Sequence, residues 1–129
     1  MLLLDTHTFI WLASDRSLLP GNVLELIRKE SDGLFISSIT ATEIGLLSRA
    51  NKINTFGTCE DFVFKNLARF GVHEVPVDVG IALASTQLPP IHRDPFDRII
   101  IATAMAHGMT ILTKDRTIPT YPKVKAVWE

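Results

Sequence analysis

Short runs of apolar residues alternate along the chain with longer segments in which apolar residues recur every three or four positions. The short runs predict strands at 2–4, 34–36, 72–77, 110–113 and 124–128. The longer segments predict six helices, which begin near Thr6, Pro20, Thr40, Thr58, Asp78 and Asp94. This alternation predicts an α/β fold of three layers, α/β/α, with a short central parallel sheet of about five strands.

The ends of several predicted helices carry residues that are typical of helix boundaries. Thr6 is suited to cap the first helix, and Asp78 is suited to cap the fifth. Asp94 followed by Pro95 is typical of a helix start. A glycine follows the fourth helix and another, Gly108, follows the sixth, where each is expected to end its helix.

Composition favours a single folded domain over residues 1–129. Apolar residues make up 47% of the chain and charged residues 21%, which is enough for one hydrophobic core and argues against disorder. We find no internal repeat, low-complexity segment or long linker that would divide the chain.

Charge and cysteine content limit the partners and the cellular compartment expected for this protein. A net charge of −1 excludes the broad basic surface typical of many nucleic-acid-binding proteins, so any such partner requires local basic residues or a metal ion. The single cysteine, Cys59, cannot form an intramolecular disulfide, which favours a reducing compartment. Because no apolar run reaches the length of a membrane span, we expect a cytoplasmic protein with no membrane partner.

Acidic residues fall where the predicted elements bring them toward one edge of the sheet. Asp5 ends the first strand, Glu43 opens the helix after the second, and Asp115 follows the fourth. The carboxyl ends of parallel strands share one edge, and ligand sites of such folds lie there. Asp97, in the first turn of the sixth helix, joins them if that helix points to the same edge.

Each acid also has a purely structural explanation. Thr40 and Glu43 fit a capping box, in which the glutamate reaches back to the backbone of the capping residue. Asp97 fits an ordinary helix start, and Asp115 fits a turn. Asp5 is the hardest to explain in this way, because it directly follows three leucines that should lie close to the core.

Convergence of all four carboxylates would favour a bound cation. Two like charges about 4 Å apart repel by about 4 kcal/mol at an effective dielectric constant of about 20. Mg²⁺ and Mn²⁺ prefer oxygen ligands, and such an ion can activate water and stabilise a phosphoryl oxygen. The four histidines show no zinc-binding spacing, which disfavours zinc.

Basic residues lie close to these acids in the sequence. They are candidates to hold phosphate groups on either side of a metal ion. Each could equally form local ion pairs on a solvated surface, and Arg98 in particular could pair with a carboxylate. The candidates are Arg93, Arg98, Lys114 and Arg116.

Four segments occur in an order and spacing that resemble a known family. They are 2–12, which includes Leu-Leu-Leu-Asp-Thr-His; 36–44, which ends in Thr-Glu-Ile; 92–104, which begins His-Arg-Asp-Pro-Phe-Asp-Arg; and 112–115, Leu-Thr-Lys-Asp. Over essentially the whole chain this pattern resembles the PIN-domain ribonucleases, in particular the VapC-type toxins of toxin–antitoxin pairs. The Asp-Pro-Phe-Asp-Arg stretch is the most specific of the four segments.

The resemblance implies an endoribonuclease that depends on Mg²⁺ or Mn²⁺ and hydrolyses RNA with a metal-activated water. It implies that the catalytic and metal-binding acids are Asp5, Glu43, Asp97 and Asp115, supported by the hydroxyl groups of Thr6, Ser37 and Thr113. It also implies homodimerisation and a cognate antitoxin protein that blocks the site. No histidine base is required, so the expected products carry a 5′-phosphate and a 3′-hydroxyl.

Other functions remain open at this point. A receiver-like phosphoacceptor domain has a similar length, but Asp5 lacks the acidic neighbour that such a domain requires. A non-catalytic PIN-like module would only bind an antitoxin partner and operator DNA. A nuclease that acts on DNA, or one that processes RNA without being a toxin, would carry the same acids.

Overall fold

The computed structural model describes residues 1–129 and contains six helices and a five-stranded sheet. The strands are β1 (Leu2–Leu4), β2 (Leu34–Ser37), β3 (His73–Val75), β4 (Thr110–Leu112) and β5 (Lys125–Val127). The helices are α1 (Thr6–Ser14), α2 (Gly21–Lys29), α3 (Ser38–Arg49), α4 (Cys59–Phe70), α5 (Val79–Thr86) and α6 (Pro95–His107). Short 3₁₀ turns at Arg16–Leu18 and Ile118–Thr120 were not predicted from the sequence.

All neighbouring strands are parallel, in the order β3-β2-β1-β4-β5. In the centre, Leu3 of β1 pairs with Phe35 of β2 on one side and with Ile111 of β4 on the other. The chain therefore builds the sheet outward from β1 in one direction and then from β4 in the other. A crevice opens beyond the carboxyl ends of strands at such a reversal, so this topology places the ligand site between β1 and β4.

Apolar side chains from both faces of the sheet form two separate core clusters. Leu2 and Leu4 contribute to one cluster, with residues of α1, α2 and α4, while Leu3 contributes to the other, with residues of α6. Successive side chains of a strand point to opposite faces, which explains this division. α5 packs against α6 on the outer side. These layers confirm the predicted three-layer α/β/α fold.

Two of the predicted helix starts are wrong in detail. Asp5, not Thr6, caps α1, because its carboxylate accepts a hydrogen bond from the backbone N–H of Thr8 at 2.9 Å. Ser37 caps α3, so Thr40 lies inside the helix and does not form the capping box that its spacing suggested. In both cases the polar side chain at the very end of the strand provides the cap.

The third strand is shorter than the predicted 72–77. It ends at Val75, and the backbone N–H of Val77 donates to Ser38 Oγ at 3.0 Å instead of to a neighbouring strand. Gly71 and Gly108 end α4 and α6 as predicted, with φ of 63° and 65°, a conformation that other residues rarely adopt. No helix combines the length and apolar character needed to cross a membrane.

Candidate active site

A cleft of about 520 Å³ lies at the carboxyl edge of the sheet, and all four predicted acids line it. Asp5 comes from the end of β1 and Asp115 from the loop after β4, the two strands at which the strand order reverses. Glu43 comes from α3 and Asp97 from the first turn of α6. The topology thus brings together residues that lie far apart in the sequence.

Asp5 is the most deeply buried of the four carboxylates. Its Oδ1 accepts hydrogen bonds from the backbone N–H of Thr8 at 2.9 Å and from Thr8 Oγ1 at 2.7 Å. Its Oδ2 accepts a hydrogen bond from Thr113 Oγ1. Burial raises the pKa of Asp5 above its ordinary value, although these hydrogen bonds act in the opposite direction. The carboxylate is therefore fixed in position at an electrostatic cost.

Glu43 reaches toward Asp5 from α3. Thr6 Oγ1 lies 2.6 Å from Glu43 Oε1, to which it donates, and 3.2 Å from Thr40 Oγ1. Burial raises the pKa of Glu43, and the charges of Asp94 and Asp5 add to this effect, whereas the Thr6 hydrogen bond opposes it. The two threonines join α1 to α3 beneath the cleft.

The carboxyl group of Asp97 has a strongly raised pKa. Burial, together with the nearby charges of Asp94, Glu43 and Asp5, raises the pKa of Asp97 to about 7, against the opposing effect of His92. At neutral pH a proton therefore competes for this carboxylate in the metal-free protein.

Asp115 behaves differently from the other three acids. Burial acts to raise its pKa, but hydrogen bonds from His92 and from the backbone N–H groups of Thr117 and Ile118 outweigh this, and the pKa of Asp115 is lowered. The Oδ1 atom lies 2.7 Å from the Thr117 nitrogen and 3.3 Å from the Ile118 nitrogen. Asp115 therefore stabilises its turn, as its alternative explanation suggested, and also lines the cleft.

His92 contacts two of the acids, which sequence reasoning missed. Its Nε2 lies 2.8 Å from Asp115 Oδ2 and 3.0 Å from Asp97 Oδ2. The sequence shows neither a zinc-binding spacing of histidines nor a requirement for a histidine base, so neither consideration places His92 at the acids. The sequence feature that could have indicated this contact is the position of His92, two residues before Asp94. Asp94 caps α6, the helix that carries Asp97. The three residues place their potential ligand atoms within 4.8 Å of one another.

The predicted supporting hydroxyl groups lie in different places. Thr113 Oγ1 donates to Asp5 and accepts from the backbone N–H of Asp115 at 3.0 Å, so it links two acids. Thr6 contacts Glu43, as described above. Ser37 does not line the cleft, and its side chain caps α3, the helix that carries Glu43, by accepting from the backbone N–H of Ile39 at 3.1 Å, so its supporting role stays a prediction.

Among the predicted phosphate-binding residues, Lys114 alone lines the cleft. Its Nζ lies 5.8 Å from the centre of the Trp11 ring, a distance that permits a cation–π contact. Arg93 and Arg116 are exposed and lie outside the cleft lining.

The structure gives Arg98 a role other than the predicted one. Its guanidinium group donates to the backbone oxygens of Ser85 and Leu88, each at 2.9 Å, and of Pro89 at 3.0 Å. Its hydrogen-bond partners are backbone oxygens and the Tyr121 hydroxyl, and no carboxylate is among them. Arg98 instead holds the loop between α5 and α6, because the five N–H groups of one guanidinium can satisfy several carbonyl oxygens together.

The donor set fits a hard divalent cation. Oxygen ligands predominate, and burial raises the pKa of Asp5, Glu43 and Asp97, so that these groups are poorly compensated when ionised. A larger cavity of about 570 Å³ between Phe56 and Phe64 has a single carboxylate, that of Asp61, in its lining. The acidic cleft is therefore the candidate active site, although it is the smaller of the two.

Comparison with known proteins identifies relatives in sequence and in fold. The chain is 29% identical to ribonuclease VapC22 of Mycobacterium tuberculosis over 98% of this chain and 97% of that protein. Its fold resembles a chain of VapBC2 from Rickettsia felis bound to a promoter DNA fragment (TM-score 0.75, 14% identity, 99% and 98% of the two chains). It also resembles a chain of a toxin–antitoxin complex from Klebsiella pneumoniae (TM-score 0.68, 21% identity, 96% and 95% covered). The PIN domain model matches residues 2–124, and the chain therefore belongs to the PIN domain family.

Proposed function

We propose that this protein is a metal-dependent endoribonuclease and the toxin of a toxin–antitoxin pair. The observation that carries the proposal is the convergence of Asp5, Glu43, Asp97 and Asp115 on one cleft of a PIN domain. The similarity to a protein named ribonuclease VapC22 supports RNA cleavage. The similarity to chains of VapBC and toxin–antitoxin complexes supports the toxin role and a cognate antitoxin protein as partner.

The four carboxylates would hold Mg²⁺ or Mn²⁺. Between these carboxylates, the Lewis acidity of a divalent ion would be available to a water molecule and to the phosphoryl oxygens of the RNA. Asp5 is held by Thr8 and Thr113, and Asp115 by its turn, so both oxygen donors are oriented before an ion arrives. Asp97 must release a proton to join them at neutral pH, because its pKa is raised to about 7.

Three exposed basic residues near the cleft, Lys114, Arg93 and Arg116, would contact the RNA backbone. Lys114 is exposed at the cleft wall, where its ammonium group can neutralise a phosphate next to the scissile one. Arg93 and Arg116 are exposed next to His92 and Asp115 in the sequence, and they would contact phosphates farther along the strand. Arg98 is not part of this set, since its guanidinium group is occupied by backbone oxygens.

We place the protein in the cytoplasm as a single-domain homodimer. A single, unpaired cysteine is compatible with the reducing conditions of that compartment. Large apolar side chains exposed on α3, α5 and α6, such as Leu46, Leu83 and Met105, offer surface for a second copy. Size-exclusion chromatography with light scattering tests the dimer.

The function is tested by incubating purified protein with a mixed structured RNA in Mg²⁺, in Mn²⁺ and in EDTA. We expect cleavage in either metal, none in EDTA, and loss of activity in the Asp5→Asn and Asp97→Asn variants. Asp61→Asn, which changes the carboxylate of the other cavity, is the matched control and should cleave like the parent protein. Cleavage that survives both cleft substitutions, or no cleavage in any metal, would refute the proposal and favour a non-catalytic binding module.

A further inference from the structure

The two ring nitrogens of His92 have different partners. The backbone N–H of Asp94 donates to His92 Nδ1 at 3.1 Å. A backbone N–H can only donate, so Nδ1 must offer a lone pair and carry no hydrogen. A ring in this state is the neutral tautomer, with its hydrogen on Nε2.

The Nε2 atom of His92 lies close to two carboxylates. Nε2 lies 2.8 Å from Asp115 Oδ2 and 3.0 Å from Asp97 Oδ2, and the His92 side chain is only 15% exposed. Nε2 is hydrogen-bonded to Asp115 and also touches Asp97, so one ring atom contacts acids from two different elements, the loop after β4 and the start of α6.

The backbone around His92 is anchored as well. Its N–H donates to the hydroxyl oxygen of Tyr121 at 2.7 Å, and its carbonyl oxygen accepts from Arg98 Nη1 at 3.3 Å. Arg98 ties the same loop to the end of α5 through the Ser85 and Leu88 carbonyl oxygens. Both the ring and the segment that carries it are held in place.

We propose that His92 is a positioning residue: its ring, oriented by the Asp94 N–H at Nδ1, hydrogen-bonds Asp115 through Nε2, lies against Asp97 Oδ2, and so fixes the spacing of these two carboxylates for the divalent ion. The proposal rests on the metal-dependent function above. With its hydrogen on Nε2, the ring has no lone pair there with which to bind a metal ion or accept a proton. To become a ligand, it would have to move this hydrogen to Nδ1 and give up the Asp94 hydrogen bond.

Substitutions of His92 distinguish a hydrogen-bond donor from a ligand of the metal ion. His92→Gln keeps an amide N–H donor on a side chain of comparable reach, whereas His92→Ala has none. We expect His92→Ala to weaken Mg²⁺ binding by about 10- to 100-fold, as is typical when a group that orients a metal ligand is lost. His92→Gln should recover most of the affinity. The ratio of Mn²⁺ to Mg²⁺ affinity should stay constant in both, because no nitrogen ligand is removed.

The experiment combines ¹⁵N NMR of the histidine rings with calorimetric titration of Mg²⁺ and Mn²⁺, and uses exposed His107→Gln as the matched control. We expect hydrogen on Nε2 alone, before and after Mg²⁺ is added, and rescue of binding by glutamine. Hydrogen on Nδ1, hydrogens on both nitrogens, or a selective loss of Mn²⁺ affinity in both variants would overturn the proposal. If the parent protein binds neither ion, the proposed metal-dependent function fails, and the ring NMR still decides the hydrogen-bonding state of His92.

Discussion

At the scale of the residue, one hydroxyl group joins two of the acids. Thr113 Oγ1 donates to Asp5 and accepts from the backbone N–H of Asp115. Thr113→Val keeps the shape and removes both hydrogen bonds, and we expect about a 10- to 100-fold loss of metal affinity or activity. Unfolding free energy should fall by about 1–3 kcal/mol, because buried polar groups lose partners.

Thr103→Val is the control for that substitution. Thr103 is equally buried, and its hydroxyl donates to the carbonyl oxygen of Ile99 within α6, away from the acids. Metal titration and RNA cleavage should distinguish the two variants. Equal losses in both would mean that Thr113 supports folding only.

The raised pKa of Asp97 makes the stability of the metal-free protein depend on pH. Its folded pKa of about 7 exceeds its ordinary unfolded value of about 3.9, so the folded metal-free protein binds this proton more tightly. The contribution of Asp97 to stability is therefore favourable at low pH and is lost as the pH rises from about 4 to about 7. The asparagine variant does not lose this contribution. The melting temperature of Asp97→Asn minus that of the parent should therefore increase as the pH rises from about 5 to about 8 in EDTA. A difference that does not vary with pH would contradict the cause given for the shift.

Much of the residue-level chemistry could be predicted from the sequence, since Asp5 directly follows a strand, Asp97 opens a helix, and Glu43 and Asp115 lie in the segments that follow β2 and β4. The contacts of His92 and Arg98 could not, because they depend on where the loop between α5 and α6 folds back. Sequence spacing gives the element that a side chain belongs to, but not the partner that a long side chain reaches across the fold.

At the scale of the element, the loop between α5 and α6 depends on one guanidinium group. Arg98→Lys keeps the charge but cannot reach the backbone oxygens of Ser85, Leu88 and Pro89 together. We expect about 1–3 kcal/mol lower stability and faster amide exchange at 87–94. Exposed Arg93→Lys is the control and should leave both measurements unchanged. No change in exchange for Arg98→Lys would show that the loop is held by other contacts.

Helices and strands were largely predictable because their apolar periodicity and glycine stops are local properties. The errors fall at junctions where two elements compete for one polar residue. Asp5 and Ser37 lie where a strand passes into a helix and cap that helix, whereas the predicted caps, Thr6 and Thr40, lie farther along the chain. The early end of β3 likewise depends on Ser38, a residue 39 positions away from Val77.

At the scale of the whole molecule, ionised groups concentrated in the cleft oppose folding until a cation binds. Mg²⁺ at about 100 times its dissociation constant should stabilise the protein by about 2.7 kcal/mol, since it binds only the folded state. Asp97→Asn should reduce this gain strongly, whereas Asp61→Asn should keep it. Thermal unfolding with and without Mg²⁺ makes the comparison, and an equal gain in both variants would place the ion elsewhere.

The chemical ends of the RNA products test the central claim most directly. A site of four carboxylates that uses activated water should leave a 5′-phosphate and a 3′-hydroxyl, and only when Mg²⁺ or Mn²⁺ is present. End-labelled RNA cut by the parent protein, with EDTA and Asp97→Asn as controls, gives the answer by mobility and enzymatic end analysis. Products with a 2′,3′-cyclic phosphate and a 5′-hydroxyl, formed in EDTA, would contradict the account, since they would require a metal-free acid–base mechanism at this cleft.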